Sequence, residues 1–439
     1  MIEPLQSGGR MARDTAWNFA ALGATAAVGG LITILIAVRM GPGALGVFAQ
    51  LYAAHVIGAQ AAVFGIHDST QKHTAGSMGS MGSTGSMGSI GSIGSIVTSA
   101  LVLVLLTASA LAAVLVIAAP AIGGAVASGD VASGLYLVAP GIVCFALNKV
   151  LFAAINGRGE LRLYAWMQLL RAALVLAAAL AIVMADMPVY AVGGIFTAAE
   201  ALLLPCLLLA VRPGTDAAAS LRTWGRLHAA FGGRGLVNGV LLETHLRVDV
   251  IALGYFVSDR AVGIYAFAML FAEAVYQVPV VIRTVAYPTL VQLAARADRA
   301  VLAHTVRRLS LIGGGTCAAA AAAVAIGYPL VAPMFDPQYL DGVAALQLLL
   351  LGMTTYAFFV PFDQLLLQSG YPGRQSLLMA LYVGINVVLN IILIPIYGLA
   401  GAAAATAISL VLAGALLLAA SWLWLGYRRT VLLYKAPAA

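Results

Sequence analysis

Four cationic side chains lie inside stretches of the chain that are otherwise apolar. They are Lys149, Arg171, Arg247 and Arg283. A charged side chain at the centre of a hydrocarbon layer costs roughly 2.5–3.5 kcal/mol on insertion scales, so each must face water, an ion or an opposite charge. Guanidinium and ammonium groups bind phosphate oxygens well. We therefore predict that these four side chains line a cavity that holds a diphosphate or another anionic head group.

Acidic, imidazole and amide side chains accompany the cations. We predict ion coupling or charge pairing for Glu243, His245, Asp249 and Glu273, and a polar cavity lining from Asn238, Gln277, Asn386 and Asn390. On one continuous helix, Asn238, His245 and Asp249 share a stripe at i, i+7 and i+11. Glu243 and Arg247 then pair at i, i+4 on nearly the opposite side. Such a helix cannot face lipid on either side.

Simpler interpretations of these residues stay open. Glu243 with Arg247, and Glu273 with Arg283, can form neutralised pairs that only fasten helices together. His245 with Asp249 can suggest a metal site or a proton relay. Two ligands four residues apart are a weak signal, however, and an interhelical hydrogen bond is favoured. The sequence predicts no metal site and no cofactor.

The composition sets the environment in which these side chains must be placed. Of 439 residues, 62% are hydrophobic and 9% are charged, and the mean hydropathy is +1.00. A soluble globule needs more polar surface than this. The apolar runs are about twenty residues long, which as helices span a hydrocarbon core of roughly 30 Å. The prediction is an all-α integral membrane protein. Packing in apolar segments is predicted for Cys144, Cys206 and Cys317.

Charge and Gly/Pro punctuation divide the chain into about twelve predicted transmembrane helices. The spans are 15–38, 45–66, 93–119, 131–155, 163–184, 189–211, 234–256, 261–288, 307–328, 340–368, 375–395 and 398–425. They group as two six-helix bundles, residues 1–215 and 216–425, followed by a cytoplasmic tail at 426–439. With both termini in the cytoplasm, nearly all loop arginines and lysines fall inside, and Arg39 and Arg260 are the exceptions. This orientation explains the isoelectric point of 9.4 without nucleic-acid binding.

Two sequence repeats differ in what they indicate. Residues 44–49 and 261–266 carry the related motifs ALGVFA and AVGIYA at the start of the second helix in each half. An even number of helices per half makes the repeats parallel, an arrangement that builds a cavity for alternating access. Residues 76–96 instead form seven Gly-Ser-X triplets. We expect them to be a flexible cytoplasmic linker between helices two and three.

Several motifs resemble the polysaccharide flippase branch of the multidrug/oligosaccharidyl-lipid/polysaccharide exporter superfamily. They are VRMGP at 38–42, LGVF at 45–48, RVDV at 247–250, VGIYA at 262–266, and LIPIYGLAGAA at 393–403 after Asn386 and Asn390. The resemblance covers nearly the whole chain. It implies a V-shaped, two-bundle transporter that flips polyprenyl-diphosphate-linked oligosaccharide across the cytoplasmic membrane, powered by an ion gradient or the membrane potential. The Gly-Ser-X insertion departs from the usual short connector.

Three function classes can then be compared. A flippase for surface-polysaccharide units is favoured, with the lipid-linked oligosaccharide as substrate, the bilayer as surroundings, H⁺ or Na⁺ as coupling ion, and a polysaccharide polymerase or glycosyltransferase as partner. An ion-coupled drug antiporter of the same superfamily is the alternative, but four buried cations disfavour a cationic drug. A membrane glycosyltransferase or polymerase is disfavoured because the outer loops are short and no DxD or HExxH motif is present. We therefore expect a protein that is not an enzyme.

Overall fold

In the computed structural model, the regular structure of the described residues is entirely helical. The described residues are 4–84, 88–245, 247–295, 299–364, 366 and 371–425. The α-helices are α1 (Pro4–Arg39), α2 (Gly41–Val63), α3 (Ile66–Thr84), α4 (Gly88–Ala125), α5 (Gly129–Gly157), α6 (Leu161–Met184), α7 (Gly194–Val211), α8 (Ala217–Ser220), α9 (Arg226–His245), α10 (Val248–Phe256), α11 (Asp259–Ala295), α12 (Arg299–Val331), α13 (Val343–Ala357) and α14 (Pro372–Leu425). A π turn at Leu221–Gly225 and short 3₁₀ turns at Val189–Gly193, Ala332–Met334, Pro337–Gly342 and Val360–Phe362 connect them.

Within the described ranges, ten helical segments are long and apolar enough to cross a membrane. The chain is a multi-pass membrane protein of the predicted all-α class. Two local features account for the difference from twelve. The last predicted spans both lie in α14, where Gly398 (φ 57°, ψ −127°) separates two helical stretches. The predicted span 234–256 is broken, since α9 ends at His245 and α10 begins at Val248.

The chain forms two compact units. The first unit comprises Met1–Met40 and Val47–Glu243, and the second unit comprises Gly41–Gly46 and Thr244–Ala439. Helix α9 packs inside the first unit: a Cβ on Gly232 would lie 2.2 Å from the carbonyl oxygen of Phe64. The predicted boundary after residue 215, between two six-helix bundles, stays a prediction.

Two glycines of the repeated motif allow a close backbone approach inside the second unit. A Cβ on Gly46 would lie 1.8 Å from the carbonyl oxygen of Asp259, and a Cβ on Gly263 would lie 1.7 Å from that of Pro42. The start of α11 therefore occupies the space that a side chain at Gly46 would need, and the start of α2 occupies the space that a side chain at Gly263 would need. Glycine is required at both positions, because any larger residue would separate the two backbones.

The expectation of a flexible linker at 76–96 is wrong for the residues that the structure describes. Helix α3 continues to Thr84 and α4 begins at Gly88. Ile93 and Ile96 are buried, and the amide of Gly214 donates a 3.2 Å hydrogen bond to the carbonyl oxygen of Gly94. The physical reason is that the triplets supply buried isoleucines together with glycines small enough for close backbone contact. The side of the membrane on which they lie stays a prediction.

Each unit has its own apolar core. In the first unit, the core joins α4, α5 and α7 through Val97, Leu151 and Leu203. In the second unit, a core joins α12 and α14 through Val306 and Leu417, with Phe362 of the last 3₁₀ turn packed against them. The polar side chains described next are held by helices that these cores fix in place.

Candidate functional site

Lys149 is a buried cation of the first unit with a neutral hydrogen-bond partner. It lies on α5, and its Nζ atom donates to the Oε1 atom of Gln60 on α2. The same Nζ lies 5.8 Å from the ring centroid of Phe145, one turn earlier on α5. Within the described part of the chain, no carboxylate lies at ion-pair distance from this ammonium group. The direct partners of Lys149 are therefore a neutral amide and an aromatic ring.

Arg171, on α6, is compensated by an acid that the sequence analysis did not select. Its Nε atom lies 2.6 Å from Oε1 of Glu200, whose side chain is fully buried on α7. The amide of Asn148 donates to the other carboxylate oxygen, Oε2, at 2.8 Å. Both oxygens of the carboxylate are thus satisfied. Glu200 is a charged residue within the apolar run 189–211, and this position could have marked it in the sequence as a partner for a buried cation.

His55 is a further buried polar group that the sequence analysis missed. Its ring on α2 stacks on Phe196 at 5.0 Å between centroids and meets the edge of Phe145 at 5.4 Å. Neither ring nitrogen has a hydrogen-bond partner among the described residues. The guanidinium carbon of Arg171 lies over the ring of Phe145, 4.7 Å from the ring centroid. The aromatic ring therefore contacts three nitrogen-bearing side chains.

Asp249 is the centre of a buried polar network in the second unit. Its Oδ1 accepts from the amide of Asn390 at 3.0 Å, and its Oδ2 accepts from the hydroxyls of Tyr265 at 2.9 Å and Thr406 at 2.5 Å. Asn390 also donates to the side-chain oxygen of Asn386 at 3.1 Å. The structure thus brings together three of the predicted residues and adds Tyr265 and Thr406, which sequence spacing could not connect.

The network leaves one acceptor unused. The Oδ1 atom of Asn390 is buried and has no hydrogen-bond partner among the described groups. Buried amide oxygens are normally satisfied, so this atom requires an explanation. Together with the carboxylate of Asp249, it offers oxygen atoms to a monovalent cation or a proton. The described residues contain no group of three His, Cys, Asp or Glu side chains that could hold a metal ion.

Arg283 pairs with a different acid from the one considered in the sequence analysis. Its Nη1 atom lies 2.5 Å from Oδ2 of Asp363, eighty positions along the chain. Pairing of Arg283 with Glu273 is therefore wrong. Glu273 is half-buried and Gln277 is exposed on the same helix, α11. Asp363 follows the 3₁₀ turn after α13, so helix periodicity could not predict that its carboxylate meets Arg283.

The seventh predicted span does not form one continuous helix. Arg247 has φ −130° and ψ −5°, outside helical geometry, and the break lies close to the division between the two units. The i, i+4 relation of Glu243 to Arg247 and the stripe through Asp249 both assumed an unbroken helix, so the spacing argument does not apply across the break. Pairing of Glu243 with Arg247 stays a prediction. The side chains of Asn238 and His245 lie outside the described residues. Helix periodicity cannot foresee a break that tertiary packing imposes.

A histidine cluster outside the predicted spans joins α3, α4 and α9 in the first unit. The Nδ1 atom of buried His228 lies 2.9 Å from Oγ of Ser69, and its Nε2 lies 3.1 Å from the carbonyl oxygen of Ile96. The ring of His73 packs against that of His228 at 6.4 Å. Burial lowers the pKa of His228 to about 4, and the hydrogen bond to Ile96 opposes the shift. His228 is therefore neutral at physiological pH.

Known proteins share sequence features with this chain. A family model described as "Polysaccharide biosynthesis protein" matches residues 94–344, which is more than half of the chain. The probable flippase AglR of Haloferax volcanii is 26% identical over 208 residues. That alignment covers 46% of this chain and 42% of the relative. The chain thus spans less than half the length of this curated relative.

Solved transporter structures share the fold. The lipid II flippase MurJ, in an inward closed conformation, superposes with a TM-score of 0.70 at 13% identity, covering 91% of this chain and 86% of that one. An inward-facing multidrug resistance MATE family transporter of the MOP superfamily gives a TM-score of 0.67 at 15% identity, covering 91% and 96%. At these identities the likeness concerns the fold alone. It agrees with the all-α membrane fold class predicted from the sequence.

Proposed function

The chain belongs to the polysaccharide biosynthesis protein family, and from that premise we propose that it flips polyprenyl-diphosphate-linked oligosaccharide across the cytoplasmic membrane. The substrate has a diphosphate head group that must cross a low-dielectric layer, and no covalent bond is made or broken. The apolar polyprenyl chain stays in the hydrocarbon layer of the bilayer. The chain works by alternating access, with both termini in the cytoplasm. The similarity to a probable flippase supports this proposal.

The single observation that carries the proposal is the state of Lys149. A cation inside a membrane span is expensive unless a partner neutralises it. Lys149 lies within the span Gly129–Gly157, and its direct partners are the neutral groups Gln60 and Phe145. A diphosphate brings the missing negative charge and strong acceptor oxygens. We assign Lys149 as the principal anion contact of the first unit.

The other three predicted cations contribute under different conditions. Arg171 and Arg283 reach a phosphate only if it displaces the carboxylates of Glu200 and Asp363. Exchange is harder for Glu200, because Asn148 also holds that carboxylate. Arg247, at the break between α9 and α10, stays a proposed contact. This ranking places Lys149 first and Arg171 last for substrate binding.

The Asp249 network serves ion coupling in the proposed cycle. A carboxylate surrounded by Tyr265, Thr406 and Asn390 is preorganised without a countercharge from any described cation. Binding of H⁺ or Na⁺ neutralises it, and the ion gradient then biases the conformational equilibrium through that binding energy. The unpartnered Oδ1 of Asn390 supports a site for a small cation in addition to protonation.

Replacement of Lys149 tests the proposal directly. The full chain is reconstituted in vesicles with fluorescent polyprenyl-diphosphate oligosaccharide, and quenching of the outer leaflet reports flipping. We expect Lys149→Met to reduce flipping at least tenfold and Lys149→Arg to keep a substantial part, because the charge remains. Arg260→Met is the matched control, since Arg260 is exposed and pairs loosely with Asp341 at 3.7 Å.

Two results would count against the flippase. One is undiminished flipping by Lys149→Met in vesicles that contain folded protein. The other is efflux of a cationic drug by the wild-type chain with no flipping of the glycan lipid, which would favour the antiporter instead. An acidic Lys149→Glu variant separates these alternatives further, because it should block an anionic substrate and admit a cationic one.

A further inference from the structure

We propose that Asp363 and Gln375 of the second unit, with Arg283 as a positioning residue, form a subsite that binds hydroxyl groups of a sugar. The inference rests on the proposed function, which supplies a substrate with a glycan. It goes beyond that function by naming the part of the substrate that this unit recognises. The subsite concerns the second unit by itself and the glycan part of the substrate.

The subsite is built from two side chains with unused acceptor atoms. Arg283 Nη1 lies 2.5 Å from Oδ2 of Asp363, while the other carboxylate oxygen, Oδ1, is buried without a partner among the described residues. Gln375 begins the second turn of α14, and its Nε2 donates to the backbone oxygen of Asp363 at 2.9 Å. The remaining Oε1 of Gln375 is also buried and unpartnered in the described structure. Two orphaned acceptors thus belong to residues that contact each other.

The carboxylate of the first-unit ion pair differs from that of Asp363 in how many of its oxygens are satisfied. In the first unit, Arg171 and Asn148 satisfy both oxygens of Glu200, whose side chain is completely buried. The carboxylate of Glu200 thus has no unused oxygen, although the Oδ1 atom of Asn148 beside it has no partner in the described structure. In the second unit, Arg283 holds Oδ2 of Asp363, and the backbone amide of Gln364 also interacts with this carboxylate. Its Oδ1 atom has no partner of hydrogen-bond geometry in the described structure, and the side chain is 13% exposed. A half-satisfied carboxylate leaves a desolvated acceptor, which is unfavourable until a donor arrives.

The chemistry of the free atoms selects the ligand. A phosphate would place its own acceptor oxygens against Asp363 Oδ1 and Gln375 Oε1, which repel it. A metal cation would lie beside the guanidinium of Arg283 and needs more oxygen ligands than two. A sugar hydroxyl is an uncharged donor, and adjacent hydroxyls on one ring can reach two neighbouring acceptors. Neutral hydroxyl donors therefore fit this net-neutral cluster best.

Aromatic side chains lie near the same cluster. Tyr276 and Tyr356 lie near enough to Asp363 to interact with its charge. The rings of Tyr356 and Phe359 lie 6.2 Å apart. Aromatic faces contact the apolar C–H faces of ligands, and a few placed polar groups fix the orientation, which is the usual composition of a small-molecule site. The aromatic neighbours thus complement the hydroxyl-binding atoms.

The test compares two lipids on the reconstituted full chain. One is the lipid-linked oligosaccharide extracted from the producing cells, and the other is polyprenyl diphosphate without sugar. Gln375→Leu removes, at similar size, both the free acceptor and the amide donor to the backbone oxygen of Asp363. We expect it to weaken binding of the glycan lipid by about three- to tenfold, the worth of one hydrogen bond. Binding of the sugar-free lipid should change less than twofold. Gln347→Leu, at an exposed glutamine of α13, is the control.

Asp363→Asn is a second variant for the same binding measurement. It keeps the side-chain shape, replaces one carboxylate oxygen by an amide donor and removes the negative charge. The subsite is overturned if Gln375→Leu affects both lipids equally, or if neither lipid responds while the wild-type chain binds them. A third arm uses the soluble oligosaccharide released from the lipid by mild acid, which should slow maleimide labelling of Gly373→Cys, an exposed position two residues before Gln375. Protection without any lipid flipping would keep the subsite and reject the flippase. No protection and no glycan preference would reject the subsite, whatever the flipping assay shows.

Discussion

The Nε atom of Arg171 lies 2.6 Å from the Oε1 atom of Glu200, and this pair ties α6 to α7 inside the first unit. Asn148 of α5 completes the arrangement by donating to the second carboxylate oxygen. Three membrane-spanning helices therefore meet at one carboxylate. Their packing depends on a charge pair whose partners lie in separate spans, and neither partner is stable there alone.

Loss of one partner of this pair should be more harmful than loss of both. Arg171→Met or Glu200→Leu leaves one charge buried and unpaired, and we expect each to lower the free energy of unfolding by about 3–5 kcal/mol. The double replacement should be much milder, since no charge is then uncompensated. Denaturation in detergent, followed by tryptophan fluorescence, measures the cycle. Additive single effects would show that the two side chains do not interact.

The sequence predicted the fold well because membrane insertion imposes a strong and local signal. Apolar runs of about twenty residues are visible in any window, and the all-α class follows from them. The division of α14 at Gly398 falls at the predicted boundary between the spans 375–395 and 398–425. The break at Arg247 could not be predicted in this way, because it depends on how the flanking helices pack. Hydropathy contains no term for that packing.

Close approach of the two repeated motifs makes a prediction about Gly263. Gly263→Ala puts a Cβ 1.7 Å from the carbonyl oxygen of Pro42, so the helix starts must separate, and we expect a loss of about 1–3 kcal/mol. Gly46→Ala should behave alike for the reciprocal reason. At Gly43 a Cβ meets nothing within 4 Å, and Gly43→Ala is the control. Equal thermal stability of all three variants would contradict the requirement for glycine.

The candidate site was only partly predictable, for a reason that differs between residues. Asp249, Asn386 and Asn390 stood out as polar groups in apolar runs, and the structure brings them together. Tyr265 and Thr406 are common residues in such helices, so no sequence signal set them apart. Asp363 lies beyond the end of α13, where no helix periodicity applies. Partners that meet only through tertiary packing are not visible in spacing along the chain.

Acidification should destabilise the first unit through His228. Its pKa is lowered to about 4 in the folded chain, while an exposed histidine has a pKa near 6.5. Above pH 6.5 both states are neutral and the full stability is present. Between pH 6.5 and 4 the unfolded state binds a proton that the folded state does not, so stability falls as the pH falls.

The measurement is the melting temperature in detergent between pH 7.5 and 4.5. The variant His228→Gln removes this titration, and we expect its melting temperature to fall less steeply with acid than that of the wild type. His73→Gln is a useful comparison, because His73 is less buried and contacts the same cluster. Identical slopes for the wild type and His228→Gln would show that other groups cause the acid sensitivity.

The last prediction concerns Asp249, where coupling and simple structural support lead to different results. Asp249→Asn keeps the size of the side chain and one acceptor oxygen for Tyr265 or Thr406, but it cannot bind a proton or attract a cation. If the carboxylate carries coupling, glycan-lipid binding should persist while flipping driven by an imposed H⁺ or Na⁺ gradient falls at least tenfold and no longer responds to the gradient. Asp341→Asn, at an exposed acid, controls for a general loss of charge. If Asp249 only supports packing, Asn should preserve the gradient response and lower thermal stability instead. Flipping with an unchanged ion dependence would remove Asp249 from the coupling site and leave Glu273 as the predicted acid to examine next.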